Sequence, residues 1–416
     1  MSELKIGGVP ATNLVAQYGT PLYVYDQEQL ENNLQSYKQS FKSEKFPTKI
    51  LYASKAFQTI GMMNLVHEYG FGVDVVSAGE LYTALQSNVP VNKIHFHGNN
   101  KSTEELRMAF EAGVEHIVCD NVMELAELSE LAKEYQQKMK IMFRLNVGIE
   151  AHTHEYIVTT HIDSKFGIAY ESDDFKECLT ILDQQEYLVL EGFHVHIGSQ
   201  IFEMDAWYAA IDKMVSYLKD FNEPLTLNLG GGFGVRYTEE DQPLGIEETM
   251  NHLLTYLDEI LTKEEVSIKE LVIEPGRSLV AEAGYTLYEV GYQKKTPNKT
   301  YYFVDGGMAD NIRPSLYQAK YSCDIATNMD AEKTELVTVA GKYCESGDVL
   351  IQDTYLPPVK KGDLLVVYAT GAYGYSMSSN YNRSTTPAVI FVKNGQVKEI
   401  VRRQTLVDLL RNDVRE

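Results

Sequence analysis

The chain has 416 residues, 44% of them hydrophobic and 23% charged, which is enough length and apolar content for one large and one smaller core. Its 37 Lys and Arg against 59 Asp and Glu give a net charge of −22, which argues against nucleic acid and membrane partners. Segment 1–19 lacks a basic stretch followed by an apolar core, and no apolar run approaches the ~20 residues of a spanning helix, so we expect a cytoplasmic protein. The cysteines are few and widely spaced, which predicts reduced thiols rather than disulfides or a structural zinc site: Cys119, Cys178, Cys323 and Cys344.

Short apolar runs alternate with amphipathic segments along the first two thirds of the chain. A strand-like PLYVY comes first and a helical stretch at 27–41 follows it. The runs that we predict as strands are 49–54, 72–77, 93–98, 116–121, 141–147, 190–199, 225–232 and 270–277. Between them lie segments such as 122–137, whose apolar residues recur at helical spacing. Eight strands interleaved with helices over roughly 250 residues favour a closed (β/α)8 TIM barrel over an open doubly wound sheet.

The pattern changes after residue 277. Alternating strands now follow one another, separated by Gly, Pro and Asn-Gly turns, with hardly a helix among them. This predicts a second, all-β domain. Periodicity alone leaves open whether the first 25 or so residues join the barrel or the β domain. We assign 27–277 to the barrel, and 1–26 with 278–416 to the β domain.

Polar residues gather at the predicted strand ends, where the loops of a β/α barrel build its active-site face. Each has an ordinary explanation by itself, such as a solvated lysine, a core histidine or a tight glycine turn. Unrelated surface residues have no reason to gather at the same end of a barrel, so the set indicates a site. Its members are Lys55, His97, Asn146, His196, Ser199, the glycines 230–232, Glu274 and Arg277.

The chemistry of this set suggests a cofactor. A lysine at a barrel mouth suits Schiff-base formation with an aldehyde. The glycine run, predicted to open a helix, offers N–H groups and a positive dipole end to a phosphate, and the Ser199 hydroxyl adds a donor. A carboxylate from a neighbouring strand can hold a pyridine nitrogen protonated. Aldehyde, phosphate and pyridine nitrogen together describe pyridoxal phosphate.

At these residues the sequence resembles the fold-type III pyridoxal-phosphate decarboxylases, and among them the diaminopimelate decarboxylases. The resemblance runs from GTPLYVYD (19–26) to NYNRS (380–384). Taken together its motifs are highly specific: YASKA (52–56), GVDVVSAGE (72–80), SKFGI (164–168), HVHIGSQ (194–200), LGGGFG (229–234), EPGR (274–277), DGGMADNIRPSLY (305–317), CESGD (344–348) and GAYGYSMSSNYN (371–382).

The resemblance implies a cofactor site in the barrel. Lys55 would be the Schiff-base lysine and His196 the imidazole stacked on the cofactor ring. Glu274 would pair with the pyridine nitrogen. The phosphate would be held by Ser199, Gly230, Gly231, Gly232 and Tyr373, the last of which we also place in the substrate site.

The same resemblance implies a substrate site and a homodimer. The residues that would bind a substrate carboxylate are Arg277, Arg313 and Tyr317, and Glu345 would bind the distal ammonium group. Cys344 would face the reacting carbon in the active site of the other subunit, so that two chains complete each other's sites. Arginines that suit a carboxylate and a glutamate that suits an ammonium group fit meso-diaminopimelate, whose decarboxylation yields L-lysine. Lys55 and Cys344 are both candidate donors of the proton that returns to the α-carbon.

Three alternatives remain. A decarboxylase of ornithine, lysine or arginine would use the same fold, although those substrates have no distal carboxylate for the arginines. The paired histidines at 95–97 and 194–196 could instead belong to a metal-dependent barrel hydrolase, against which no ligating Asp follows the eighth strand. A pyridoxal-phosphate carrier without activity would need neither CESGD nor the two arginines, and would release no CO2.

Overall fold

The computed structural model describes residues 2–149 and 164–415. The chain divides into two compact units, which we call the barrel unit and the β unit. The barrel unit comprises Asn33–Gly234 and Pro243–Gly276, and the β unit comprises Met1–Asn32, Val235–Gln242 and Arg277–Glu416. Within the described ranges, none of the helices combines the length and the apolar character that a bilayer crossing requires.

The N-terminal segment contributes two short paired strands, a helix, a longer strand and a second helix. These elements are β1 (Lys5–Ile6), β2 (Val9–Pro10), α1 (Ala11–Tyr18), β3 (Leu22–Asp26) and α2 (Gln27–Ser40). The predicted helix at 27–41 is therefore confirmed. Strand β3 contains the LYVY of the predicted PLYVY segment, and all of its residues except the last are buried.

The central part of the chain alternates strand and helix. In order, its elements are β4 (Thr48–Ala53), α3 (Ile60–Glu68), β5 (Gly72–Val75), α4 (Ala78–Leu85), β6 (Ile94–Phe96), α5 (Thr103–Ala112), β7 (His116–Cys119), α6 (Val122–Tyr135), β8 (Met139–Asn146), β9 (Ile168–Ala169), α7 (Asp173–Asp183), β10 (Leu188–His194), α8 (Asp205–Leu218), β11 (Thr226–Asn228), α9 (Ile246–Glu264) and β12 (Leu271–Ile273). The eight predicted strands are all present, and β9 is a short addition beside the end of β8.

The eight strands close into a parallel barrel. Neighbours pair in the order β4, β5, β6, β7, β8, β10, β11 and β12, and β12 returns to β4. Strand β10 pairs directly with β8, because β9 lies outside the ring beside the end of β8. All strand pairs in the ring are parallel. Strands of such a barrel are covered by helices outside and by side chains inside, which is why they are almost continuously buried. The predicted TIM barrel is confirmed.

Helix α6 shows how the local sequence fixes these elements. The Asn121 side chain accepts a hydrogen bond from Glu124 N at 3.0 Å and caps the first turn. Leu125, Leu128 and Leu131 recur at helical spacing and are buried. The amphipathic pattern predicted between 122 and 137 therefore forms a helix that packs by one face.

The C-terminal part, described from residue 277 to residue 415, is rich in strands and has two short α-helices. Its elements are α10 (Arg277–Val280), β13 (Gly284–Lys295), β14 (Thr300–Val304), α11 (Arg313–Tyr317), β15 (Cys323–Ile325), β16 (Glu335–Ala340), β17 (Val349–Leu356), β18 (Leu364–Val367), β19 (Ala388–Lys393) and β20 (Gln396–Val401). The strand order is β17, β16, β14, β13, β3, β19 and β20, with β18 paired to both β13 and β15. Strand β3 thus lies between β13 and β19. The core of this sheet includes Leu22, Val24, Leu287 and Ile390.

Candidate active site

Glu274 is the centre of a buried polar network at one end of the barrel. It directly follows β12 and is 4% exposed. Its Oε1 lies 2.9 Å from Nε2 of His97 and accepts a hydrogen bond from Nδ2 of Asn228 at 2.7 Å. Its Oε2 lies 3.1 Å from Nε2 of His194. Because these partners come from the ends of β6, β11 and β10, closure of the barrel brings three strand ends to the carboxylate that follows a fourth strand, β12.

The electrostatics of this network favour an ionised Glu274. Burial opposes ionisation, yet His97 and His194 outweigh it and hold the pKa of Glu274 well below its usual range. Burial also opposes a charge on His97, but the carboxylates of Glu274 and Asp74 raise the pKa of His97. The pKa of His194 falls to about 4 because burial dominates there. These shifts favour an ionised Glu274 in contact with a protonated His97, with a neutral His194 beside them.

The glycine run follows β11 and packs tightly against neighbouring strand ends. Gly230 and Gly232 have φ values of +69° and +117°, which favour glycine. A Cβ atom on Gly230 would lie 2.5 Å from the Val195 carbonyl oxygen, and one on Gly231 would lie 2.2 Å from that of Glu274. Only glycine fits these positions, so the backbone of the run lies beside the site with no side chain of its own.

The prediction that this run opens a helix is wrong. The next helix, α9, begins only at Ile246. After Gly234 the chain leaves the barrel unit for Val235–Gln242 of the β unit and returns at Pro243, so no helix can start directly after the glycines. A phosphate at the glycine run would therefore meet backbone N–H groups without the dipole of a helix at that point.

Lys55 lies at the same end of the barrel. It is exposed and sits on a single 3-10 turn, Ser54–Ala56, after β4. The hydroxyl of Ser54 donates to the Asp74 carbonyl oxygen at 2.6 Å, which ties this turn to β5. The ammonium group of Lys55 acts on the pKa values of Asp74 and His196. The amine therefore lies within electrostatic reach of the buried network.

His196 and Ser199 follow β10 and are half-buried. Burial lowers the pKa of His196 well below its usual value, and Lys55 and Arg144 lower it further. A Cβ atom on Gly230 would lie 3.2 Å from Nδ1 of His196, so this imidazole borders the glycine run. A neutral flat ring in that position is suited to stacking on an aromatic cofactor.

The barrel end offers each kind of group that pyridoxal phosphate requires. An amine is present at Lys55, closely packed glycine backbone follows β11, and an ionised buried carboxylate is present at Glu274. A flat neutral imidazole lies beside the glycines. These residues fit an aldehyde, a phosphate and a protonated ring nitrogen, and their individual roles stay predictions.

The paired histidines have polar neighbours within the protein. Ligand atoms of His95, His97 and Glu274 lie within 4.8 Å of one another. However, His97 and His194 both face Glu274, while Nε2 of His95 lies 3.0 Å from Nδ1 of His116. His95 therefore lies between two polar groups, with a ring nitrogen near His97 and Glu274 and with Nε2 in contact with His116.

Arg277 and Arg313 lie together in the β unit. They are only 9% and 5% exposed. Arg277 donates to the Tyr237 hydroxyl and Arg313 to the Tyr321 hydroxyl, each at 2.5 Å. Both guanidinium groups also lie near the Tyr237 ring, with the Cζ atoms 5.7 and 5.0 Å from its centre. The main polar partners of Arg313 are Tyr321, Tyr237 and Tyr373, and among residues 2–149 and 164–415 it forms no ion pair with a carboxylate.

Tyr373 and Tyr317 belong to the same unit. The Arg277 guanidinium carbon lies 4.9 Å from the centre of the Tyr373 ring, whose residue has a φ of +62°. Tyr317 ends helix α11, which begins at Arg313. The structure therefore brings Tyr373 to the arginines, while Tyr317 shares the short helix of one of them.

Cys344 and Glu345 lie on an exposed loop of the β unit. The backbone N–H of Cys344 donates to Oδ1 of Asn382 at 2.9 Å. The buried Asp348 shapes the loop, because its Oδ2 accepts a hydrogen bond from the N–H of Tyr343 at 2.9 Å. The side chains of Cys344 and Glu345 are therefore exposed on a loop that hydrogen bonds to Asn382 and Asp348 hold in place.

Several residues around the candidate site were not predicted. The sequence places His97 at a predicted strand end without giving it a role at Glu274, associates His194 with the metal hypothesis alone, and gives no reason to single out Asn228. The HxH spacing is the one available signal, because alternation places His194 on the same side as His196. Tyr237 and Tyr321, the partners of the arginines, carry no motif that distinguishes them from other tyrosines.

The fold and the site define a class: a (β/α)8-barrel enzyme of the kind that binds pyridoxal phosphate, with an added β unit. A family model described as "Pyridoxal-dependent decarboxylase, pyridoxal binding domain" matches residues 27–281. The diaminopimelate decarboxylase of Bacillus subtilis (strain 168) is 48% identical over 99% of this chain and 95% of its own. That of Staphylococcus aureus (strain COL) is 42% identical over 99% of this chain and 98% of its own.

A solved structure agrees with these relatives. The crystal structure of diaminopimelate decarboxylase from M. jannaschii in co-complex with L-lysine has a TM-score of 0.93 at 35% identity, covering 100% of this chain and 96% of that one. The chain therefore belongs to the pyridoxal-dependent decarboxylases, and within them to the diaminopimelate decarboxylase family.

Proposed function

We propose that this protein is a pyridoxal-phosphate-dependent lyase that decarboxylates meso-2,6-diaminopimelate to L-lysine and CO2. The family membership supports the reaction. The choice of substrate rests on the buried pair Arg277 and Arg313. Within the described residues, Arg313 forms no ion pair with a carboxylate. A buried guanidinium without a counter-ion is costly, and a substrate carboxylate would supply one. Ornithine, lysine and arginine have no second carboxylate to offer.

The residues of the barrel unit would hold and polarise the cofactor. When bound, pyridoxal phosphate supplies the ring that accepts the electrons left by the departing CO2. Lys55 Nζ would bind the aldehyde carbon and give way to the substrate amine. Glu274 would hold a proton at the ring nitrogen, His196 would stack on the ring, and Ser199 with the glycine run would bind the phosphate.

The residues of the β unit would select the substrate and finish the reaction. Arg277 and Arg313 present guanidinium groups that bind a planar carboxylate well, with Tyr317 and Tyr373 as further contacts. Glu345 would bind the distal ammonium group. Either Cys344 or the released Lys55 would return a proton to the α-carbon.

A substrate panel with an Arg313→Ala variant tests this function. Release of CO2 from meso-diaminopimelate, L-lysine, L-ornithine and L-arginine would be measured, and we expect diaminopimelate to be strongly preferred. Loss of a charge-assisted bond of roughly 1.5–3 kcal/mol should lower kcat/KM for diaminopimelate about 10- to 100-fold in Arg313→Ala. The preference should shrink, because the other substrates lack the carboxylate.

Arg107→Ala is the matched control, since Arg107 is an exposed arginine paired with Glu134. Its kinetics should equal those of the unmodified protein. Thermal unfolding and cofactor absorbance would show that Arg313→Ala still folds and binds pyridoxal phosphate. Equal activity on all four amino acids in the unmodified protein would contradict the proposed substrate.

The enzyme would act in the cytoplasm as a homodimer whose chains share active sites. Support comes from Cys344 and Glu345, two predicted site residues that the β unit holds on an exposed loop. Mixing inactive Lys55→Ala chains with inactive Cys344→Ala chains should restore up to about a quarter of the activity per chain after random reassociation, since a hybrid contains one intact site. The assay is CO2 release after mixing under dissociating conditions. An inactive mixture that sedimentation shows to contain hybrids would rule out sharing.

A further inference from the structure

Glu274 has more close polar neighbours than pairing with one ring nitrogen requires. His97 and Asn228 approach Oε1 at 2.9 and 2.7 Å, and His194 approaches Oε2 at 3.1 Å. An ionised carboxylate has about four acceptor positions, of which hydrogen bonds to Asn228 and His194 use two, and the His97 imidazole adds a close ion-pair contact at Oε1. All four side chains are buried, and His97 and His194 are 5% and 2% exposed. Because these side chains are shielded from water, the protein itself supplies the groups that stabilise Glu274.

His97 is the member of the set that brings a charge. Glu274 contacts it from the end of β12 and Asp74 acts on it from β5, and both favour a proton on its imidazole against the effect of burial. Burial and Glu274 raise the pKa of Asp74 itself, so Glu274 is the stronger influence. Arg144 on β8 opposes that proton. Asn228 is a neutral amide, and the lowered pKa of His194 keeps its imidazole neutral at pH 7. Lys55 is exposed, so its field at Glu274 is screened by water.

We propose that His97 is a positioning residue that keeps Glu274 ionised, so that the proton shared between Glu274 and the cofactor ring stays on the ring nitrogen. This inference rests on the proposed function. A proton between a carboxylate and a pyridine nitrogen resides on the more basic partner. Each hydrogen bond to Glu274, and above all a positive charge in contact with it, makes the carboxylate less basic and moves the proton towards nitrogen. His97 touches Glu274 and acts on the ring only through it.

Substitution of His97 by Gln tests the proposal, because Gln keeps an N–H donor and removes the charge. The holoenzyme would be prepared with pyridoxal phosphate labelled with 15N in the ring, and the ring nitrogen would be followed by NMR from pH 6 to 10. We expect the unmodified protein to keep a protonated ring nitrogen over this range. In His97→Gln, the ring nitrogen should lose its proton within this range, with the ratio of protonated to unprotonated nitrogen at least about tenfold lower than in the unmodified protein at the same pH.

His252→Gln is the matched control. His252 lies on α9, where its Nδ1 is 3.2 Å from the Tyr208 hydroxyl on the protein surface, and its loss should leave the ring nitrogen unchanged. An identical nitrogen titration in His97→Gln and the unmodified protein would overturn the inference. Failure of the unmodified protein to bind pyridoxal phosphate would instead contradict the proposed function.

A second measurement applies if His97→Gln does not fold. The unmodified holoenzyme would be labelled with 15N-histidine, and the protonation of His97 would be determined from its two ring nitrogens at pH 7. An imidazolium supports the proposal, and a neutral His97 overturns it. Because the carboxylates raise the pKa of His97, its charge should persist above the pH at which exposed histidines lose theirs and disappear only as the pH rises further.

Discussion

Lys55→Ala should abolish the covalent attachment of pyridoxal phosphate and lower kcat at least about 1,000-fold, the scale of losing a nucleophile or general acid. The amine of Lys55 is exposed at the barrel mouth, and its charge acts on Asp74 and His196. No other group at this end was predicted to form a Schiff base. The visible absorbance of the cofactor should disappear, and borohydride reduction followed by peptide mass spectrometry should label Lys55 in the unmodified protein only.

Lys176→Ala serves as the control, because Lys176 is an exposed lysine on α7 that pairs with Asp173. Its spectrum and activity should match those of the unmodified protein. Added methylamine should partly rescue Lys55→Ala, since a free amine can replace the missing one in the same cavity. A Lys55→Ala protein that keeps the reduced label would show that a different lysine binds the cofactor.

Glu274→Gln should lower kcat about 100- to 1,000-fold while the cofactor remains attached, which is the range for removing one preorganised electrostatic contact. The substitution would preserve the size of the side chain and most of its hydrogen bonds, but not its charge. The ring nitrogen would then lose its proton partner and the ring would withdraw electrons less strongly. Single-turnover CO2 release measures the effect directly, and the cofactor absorbance confirms attachment.

Glu134→Gln is the control, because Glu134 is exposed and pairs with Arg107 at the surface. It should behave as the unmodified protein does. If Glu274→Gln retained full kcat, the ring nitrogen would need no carboxylate and the assignment of Glu274 would be wrong. That outcome would also remove the basis of the role proposed for His97.

The architecture could be predicted because it depends on local patterns. Each barrel strand is a short buried run, and segments such as 122–137 carry their own cap and apolar stripe. Eight successive strand–helix repeats most commonly form a closed barrel, so the number of repeats was enough to predict it. The addition of β9 did not follow, because a strand of two residues has no periodicity to detect.

The candidate site was predictable only in part. Strand-end position and motif were enough to select Lys55, His196 and Glu274, whose roles stay predictions. The helix expected after the glycine run is absent, because the chain crosses into Val235–Gln242 of the β unit at that point. Glycine composition indicates a tight turn but does not determine where the next residues go.

The amino-acid sequence by itself determined the order of strands and helices, the barrel architecture and the family, since all three depend on local spacing and contiguous motifs. Only the tertiary structure decided which groups face Glu274 and which tyrosines hold Arg277 and Arg313. Those partners come from separate strands and loops, and no local pattern relates them. The charge state of a buried carboxylate depends on the sum of burial and neighbouring charges, and that sum exists only after the barrel has closed.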